Sequence, residues 1–141
     1  GQEAYGKDNA ASRKSFQAAI TEYTTVLSVG GAVYLAGLQR QAEASKKIAD
    51  EVKASVAVKD DYEAADGLYE KALQEKDAGD IENAGRDFSQ SRIDFESAAL
   101  SAQQKKDAAL QALQDAQQDR TSAEKKADDA QKALQDEGFG R

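Results

Sequence analysis

Apolar residues return every three or four positions along most of this chain, the spacing of helices with one buried face. In the last third, Ile81, Ala84, Phe88, Ser91 and Phe95 step by three and four. One extra step of four reaches Ala99, after which Ala102, Lys106, Ala109, Leu113, Ala116, Arg120, Ala123, Ala127, Ala130 and Leu134 resume the alternation. This is the pattern of a coiled-coil seam with one stutter near Phe95–Ala99, where the supercoil locally unwinds. It predicts a single helix from Ile81 to about Glu137, roughly 85 Å long at 1.5 Å per residue. Gly138-Phe139-Gly140-Arg141 would end it. Aromatic residues fill the first part of the seam and alanine most of the rest. Alanine buries little area, at about 25 cal/mol per Å², so the distal half is expected to be the less stable one. Lys106 and Arg120 imply that its seam is only partly covered.

Upstream, Asp8 or Asn9 is the expected N-cap of a helix running to about Ser28, with Phe16, Ala19, Ile20, Tyr23 and Leu27 inward. A further helical stretch follows from about Ala32, weakest at Ser55-Val56-Ala57-Val58-Lys59-Asp60-Asp61, where the two aspartates suit a new cap. A helix over 62–78 comes next, with Tyr62, Ala65, Leu68, Tyr69, Ala72 and Leu73 inward. Gly79-Asp80 is the clearest turn, glycine stopping one helix and aspartate capping the next.

An imperfect internal repeat spans about 5–56 and 62–137, giving one elongated domain over 1–141 that reads as part of a longer array. A shift of 72 residues sets Asp8 on Asp80, Ser12 on Ala84, Phe16 on Phe88, Ala19 on Ser91 and Tyr23 on Phe95. A weaker echo at a shift of 79 sets Lys46-Lys47 and Lys53-Ala54 on Lys125-Lys126 and Lys132-Ala133.

The repeat makes Gly30-Gly31 ambiguous. Two glycines cost about 2 kcal/mol inside a helix, which favours a fold-back there and a three-helix bundle of residues 8–53 with about 105–127. The repeat instead aligns Val29–Gly31 with Ser101–Gln103 in an apparently continuous helix, so that the chain turns back only near Val56–Asp60. Fold-back is the favoured expectation. The fold class is thus all-α: an elongated antiparallel hairpin or three-helix, coiled-coil-like bundle.

Composition narrows the chemistry. The 141 residues include no Pro, His, Cys, Met or Trp, and aromatic residues make up 6%. Absent proline suits long helices. Absent cysteine and histidine leave no disulfide, thiolate nucleophile, imidazole base or common zinc site. A net charge of −7 disfavours nucleic acid and anionic lipid, which need clustered cations. The chain begins at Gly1 without an initiator methionine, and is read as a mature protein or a piece of a longer one.

Leu68, Ala72, Ala78-Gly79-Asp80-Ile81-Glu82-Asn83-Ala84, Phe88, Ser91 and Phe95 together resemble a tetratricopeptide-type helix–turn–helix. The match departs from that family at Lys71 and Glu75, where large apolar residues belong, and at Glu96, where proline ends the second helix. The wider texture, including Ala4-Tyr5-Gly6-Lys7-Asp8-Asn9-Ala10-Ala11, is similar to Ala-rich helical repeats in periplasmic proteins and lipoproteins of spirochaetes and other Gram-negative bacteria. Both resemblances imply protein–protein scaffolding in the cell envelope.

The candidate partner surface is the uncharged stretch Tyr23–Gln39, holding Val26, Leu27, Val29, Val33, Tyr34, Leu35 and Leu38. It is too polar for a membrane span; its plainer reading is a buried bend where helices meet. Asp60-Asp61 and Asp128-Asp129 cannot each converge on one ligand, because neighbouring helical residues point about 100° apart, so they read as a cap and a solvated face. Lys46-Lys47, Lys105-Lys106 and Lys125-Lys126 sit among acids and read as charge pairs. Tyr5, Tyr34, Tyr62 and Tyr69 read as core edges. No catalytic residue, cofactor or metal site is expected, and an enzyme is disfavoured. The expected role is a non-catalytic spacer or scaffold in the bacterial cell envelope, periplasmic by preference. Its partners would be proteins or neighbouring repeats, self-association included, with no nucleic acid and no transmembrane span. The alternative is an adaptor that receives a peptide or helix on Tyr23–Gln39.

Overall fold

A computed structural model describes residues 2–138, with side chains from Asp8 onward. The chain forms α1 (Gln2–Glu51), the short α2 (Ala54–Ala57), α3 (Lys59–Asp77) and α4 (Ile81–Asp136), with no strand among the described residues.

Gly30 and Gly31 do not break the chain: α1 runs through both, so the fold-back expected there is wrong. At Gly31 the missing side chain serves packing instead. A Cβ there would collide with Cδ1 of Ile81, at the start of α4. Gly85 plays the reciprocal part on α4, where a Cβ would stand 3.1 Å from Cε1 of Tyr34. The two glycines let α1 and α4 cross closely, and that packing outweighs their helix penalty of about 1 kcal/mol each. The expected cap at Asp8 or Asn9 is also wrong, because α1 already begins at Gln2.

The reversal comes at Val52–Val58. Lys53 takes a left-handed backbone, φ 61°, which closes α1. α2 then gives a single turn, and Val58 (φ −138°) opens α3 without a side-chain cap. Asp60 and Asp61 are not the caps expected of them. They lie in the first turn of α3, where their charge favours the positive end of the helix dipole. The Gly79-Asp80 turn follows expectation. Gly79 has φ +79°, and the Asp80 carboxylate accepts from the Asn83 backbone N–H at 3.2 Å.

These turns give three packed segments. The second half of α1 and the first half of α4 run parallel, since Gly31 meets Ile81 at one end and Ser45 Oγ donates to Glu96 Oε1 at 3.1 Å further along. α3 runs antiparallel to both. The core is narrow: Leu35, Ala42, Ala49, Ala54, Val58, Ala65, Tyr69, Ala72, Ala84, Phe88, Phe95, Ala98, Ala99 and Ala102. Phe88 and Phe95 are its largest fully buried side chains. Alanines of α1 and α3 let the three backbones close around them, and burying each ring contributes about 1.5–3 kcal/mol. Tyr69 meets Phe88 and Tyr62 meets Phe95, both edge to face.

Two arms project from this bundle. The first half of α1 extends past the Gly79 turn, and α4 beyond Gln103 extends past the Val52–Val58 turn, in the opposite direction. From Gln2 to Asp136 the molecule measures roughly 125 Å at 1.5 Å per residue. The seam expected along α4 is therefore covered only as far as Ala102, where α1 ends.

Candidate functional site

Within the bundle, the polar side chains tie helices to one another. Lys71 of α3 reaches Asp87 of α4 at 2.7 Å, with Glu75 at 3.4 Å from the same ammonium. The Lys71 hydrogen bond holds the buried Asp87 carboxyl below its ordinary pKa, and the pair raises that of Lys71 in turn. Tyr69 OH donates to Glu43 at 2.7 Å. This bond holds Glu43 below the usual carboxylate range, while burial first and Glu43 second push Tyr69 up to about 12. Tyr62 OH donates to Asp50; burial, reinforced by Asp50, raises its pKa strongly. Ser91 Oγ, fully buried, donates to the Ala65 carbonyl at 3.0 Å.

The lysine doublets separate into different roles. Lys46 pairs with Asp66 and lies 5.5 Å from the Tyr69 ring centroid and 5.9 Å from that of Phe95, a cation–π arrangement worth about 0.5–1 kcal/mol at a partly exposed site. Lys105 donates to the Ala57 carbonyl at 2.9 Å, closing the end of the bundle. Lys125 and Lys126 lie on the exposed α4 arm, as do Asp128 and Asp129. Of the tyrosines, Tyr62 and Tyr69 edge the core, Tyr34 lies beside Gly85 but stays largely exposed, and the side chain of Tyr5 lies outside the described residues.

These ties leave the protruding faces as the candidate site. On the α1 arm, Phe16, Ile20, Tyr23 and Leu27 follow one another at steps of four and three, forming a stripe that continues into Gly31, Leu35, Leu38, Ala42, Ser45 and Ala49. The second part of the stripe packs on α4 and α3. The first part packs on nothing: Phe16 is 68% exposed and Tyr23 66%. Their repeat counterparts Phe88 and Phe95 are 0% exposed. The inward face expected over residues 8–28 thus exists as a pattern but has no neighbour within the chain.

The candidate partner residues divide in the same way. Leu35 is buried and Leu38 half-buried in the bundle, while Val26, Leu27, Val29, Val33 and Tyr34 are exposed. The buried bend considered for this segment is therefore absent. At about 100° per residue, Leu27 and Tyr34 lie on the stripe of Phe16 and Tyr23. Val26, Val29 and Val33 lie roughly 80–140° to one side. A line of chain that reads as one apolar patch is thus two faces, only one of which is continuous with the bundle seam.

Other surfaces carry less chemistry. The larger depressions are shallow: one along Gln114, Gln117, Gln118, Thr121 and Ser122, another at the end of the bundle between Val52, Ala57, Ala102 and Lys105. Among the described residues no group of three or more acids is placed to hold a metal ion. Nor is any helix there long and apolar enough to cross a membrane. Comparison with protein-family models, curated proteins and solved structures found no match.

Proposed function

We propose that this chain is a non-catalytic spacer and scaffold, a rigid helical rod that holds other protein elements apart and docks them on its bare helix faces. The observation that carries this reading is the pair of exposed arms, one at each end of a small bundle. A short core stiffens the middle, and each arm presents a helical stripe of the kind that the bundle buries. The repeat and the tetratricopeptide-like hairpin around Gly79 support a place in a longer helical-repeat, coiled-coil-like architecture. The resemblance to Ala-rich envelope proteins favours the bacterial periplasm or cell envelope as its setting. Catalysis finds no support in the polar groups, whose main contacts either tie one helix to another or pair residues one turn apart on the same helix. Small-angle scattering tests the rod. A straight object roughly 125 Å long has a radius of gyration of about 35 Å, against about 14 Å for a compact domain of this length; the smaller value would sink the spacer reading. Cell fractionation tests the setting, with the chain expected alongside envelope markers.

A second reading, an adaptor that receives a partner helix, draws on the exposure of Val26, Leu27, Val29, Val33 and Tyr34. Helix-in-groove recognition needs an apolar strip of this kind. A substitution pair discriminates the two faces: loss of partner binding in Val29→Glu but not in Phe16→Glu favours the adaptor.

A further inference from the structure

Each arm lacks what the other offers. In the bundle, the aromatic rings of α4 are closed over by alanines of the adjoining helices, Ala42 and Ala49 on α1 and Ala65 and Ala72 on α3. The α1 arm repeats the aromatic half of that arrangement with Phe16 and Tyr23, both bare. The α4 arm presents small residues at the matching spacing, Ala109, Ala116, Ala123 and Ala127, with Leu113 among them, all exposed; Arg120 lies on the same face, its guanidinium drawn to Glu124 at 3.0 Å. The arms leave the bundle at opposite ends and run in the same chain direction, as do the packed halves of α1 and α4. Two copies placed end to end therefore bring an α1 arm and an α4 arm side by side, parallel, with roughly 35 Å of overlap between residues 8–30 and the facing arm.

We propose that the α1 arm of one copy docks on the α4 arm of a second copy, so that chains add head to tail into an open filament. The proposal rests on the rod reading above and names the occupant of the stripe. Phe16 and Tyr23 seat against the alanine face of the second copy, with Ile20 and Leu27 alongside. The two surfaces differ, which makes the contact heterologous. A heterologous contact between straight rods does not close, so growth continues at both ends. Only two helices meet at each joint, where the bundle uses three, and the contact is accordingly weak, with a dissociation constant expected at about 10–500 µM.

Sedimentation of the intact chain from about 10 µM to 1 mM tests this. The expected result is a weight-average mass that rises with concentration beyond twice the 15.1 kDa of the monomer. Two exposed substitutions isolate the ends. Phe16→Glu removes the aromatic surface and Ala116→Glu blocks the alanine surface; each is expected to weaken self-association at least about tenfold, with helix content unchanged. Mixed in equal amounts, the two variants retain one good surface each, and the mixture is expected to form a dimer that grows no further. A chain that stays monomeric throughout overturns the proposal. So does a wild-type dimer that saturates at two copies, which points to a symmetric pairing, or a mixture that fails to associate while the wild type does. Scattering at low concentration reports the single rod independently, so that loss of the rod and loss of the joint are separate results.

Discussion

Tyr69 of α3 meets Phe88 of α4 edge to face, with ring centroids 5.7 Å apart and planes inclined at 61°. The same tyrosine donates to Glu43 of α1 and takes Lys46 against its ring. One side chain thus joins all three packed segments at the level of the fully buried Phe88 ring. Phe88→Ala empties the centre of this arrangement and is expected to cost about 3–5 kcal/mol. Phe16→Ala, at the equivalent position of the repeat, removes an exposed ring and is expected to stay within about 0.5 kcal/mol. Urea unfolding of both variants at low protein concentration checks the contrast. Equal losses would show that Phe16 is covered in the monomer.

Hydrogen exchange extends the comparison along the chain. Backbone amides of α4 over Ala84–Ala102, in the packed segment, are expected to exchange far more slowly than those beyond Ala116, where every residue up to Gly138 is exposed. Better protection after Ala116 than at Phe88–Phe95 contradicts this order.

The seam of α4 and the inward face of α3 were legible because helical periodicity and the Gly79-Asp80 turn agree there. Ala65, Tyr69 and Ala72 are buried as expected, and Tyr62, Leu68 and Leu73 flank them half-buried. Periodicity failed to distinguish a covered stripe from a bare one: Phe16 and Phe88 look alike in sequence, and only the position of the other helices separates them. At Gly30-Gly31 local propensity points to a break, and the close approach of Ile81 to Gly31, which no local pattern shows, keeps the helix going. The true reversal carries no glycine. It depends on Lys53 in a left-handed backbone conformation, with Ala54 buried at the start of α2 and Val58 just after its end. The weak stretch Ser55–Asp61 and the repeat's alternative turn near Val56–Asp60 mark this neighbourhood, but nothing local marks Lys53 itself. The division of Tyr23–Gln39 into two faces was not legible either, since it follows from α1 staying helical through Gly30-Gly31.

The Lys53 conformation is itself testable. A non-glycine residue in the left-handed region costs about 1–2 kcal/mol, and Lys53 sits at φ 61° with its backbone N–H on the Asp50 carbonyl at 3.0 Å. Lys53→Gly relaxes the strain in the fold while loosening the unfolded chain by somewhat less, so a net gain of about 0.5–1 kcal/mol is expected. Gly79→Ala at the other turn, φ +79°, is expected to lose about 1 kcal/mol for the opposite reason. Thermal and urea unfolding of the pair decide it; a destabilised Lys53→Gly would place the reversal elsewhere.

Stability should fall at both extremes of pH. Asp87 and Glu43 have lowered pKa values in the fold, so their contribution is present above the unfolded carboxylate range and is lost as pH falls below about 4. Tyr69, held at about 12, and Tyr62, raised further, behave in the opposite sense. Their contribution is fully present below the unfolded phenol value near 10 and is lost as pH rises through the folded values. Tyr69→Phe removes the phenol that must otherwise ionise, together with its bond to Glu43. This variant is expected to be less stable than wild type at neutral pH but to lose less on going from about pH 10 to 12. Parallel losses in the two proteins over that range would remove Tyr69 from the account.

The continuity of α1 through Gly30-Gly31 is the feature on which the whole shape depends, and one distance measures it. Spin labels at positions 14 and 46 are separated by 32 residues of helix, about 48 Å at 1.5 Å per residue. A chain folded back at the glycines would bring the same positions within about 20 Å. The long distance is expected, in a narrow distribution, because Gly31 is pinned against Ile81 and the helix carries no proline. Gly30 contributes little to that rigidity: a Cβ there meets nothing within 4 Å. Gly30→Ala should therefore keep the distance and narrow its spread, adding about 1 kcal/mol of helix propensity at an open position. A population near 20 Å in wild type that disappears in Gly30→Ala would show that the rod hinges at the base of its own docking arm.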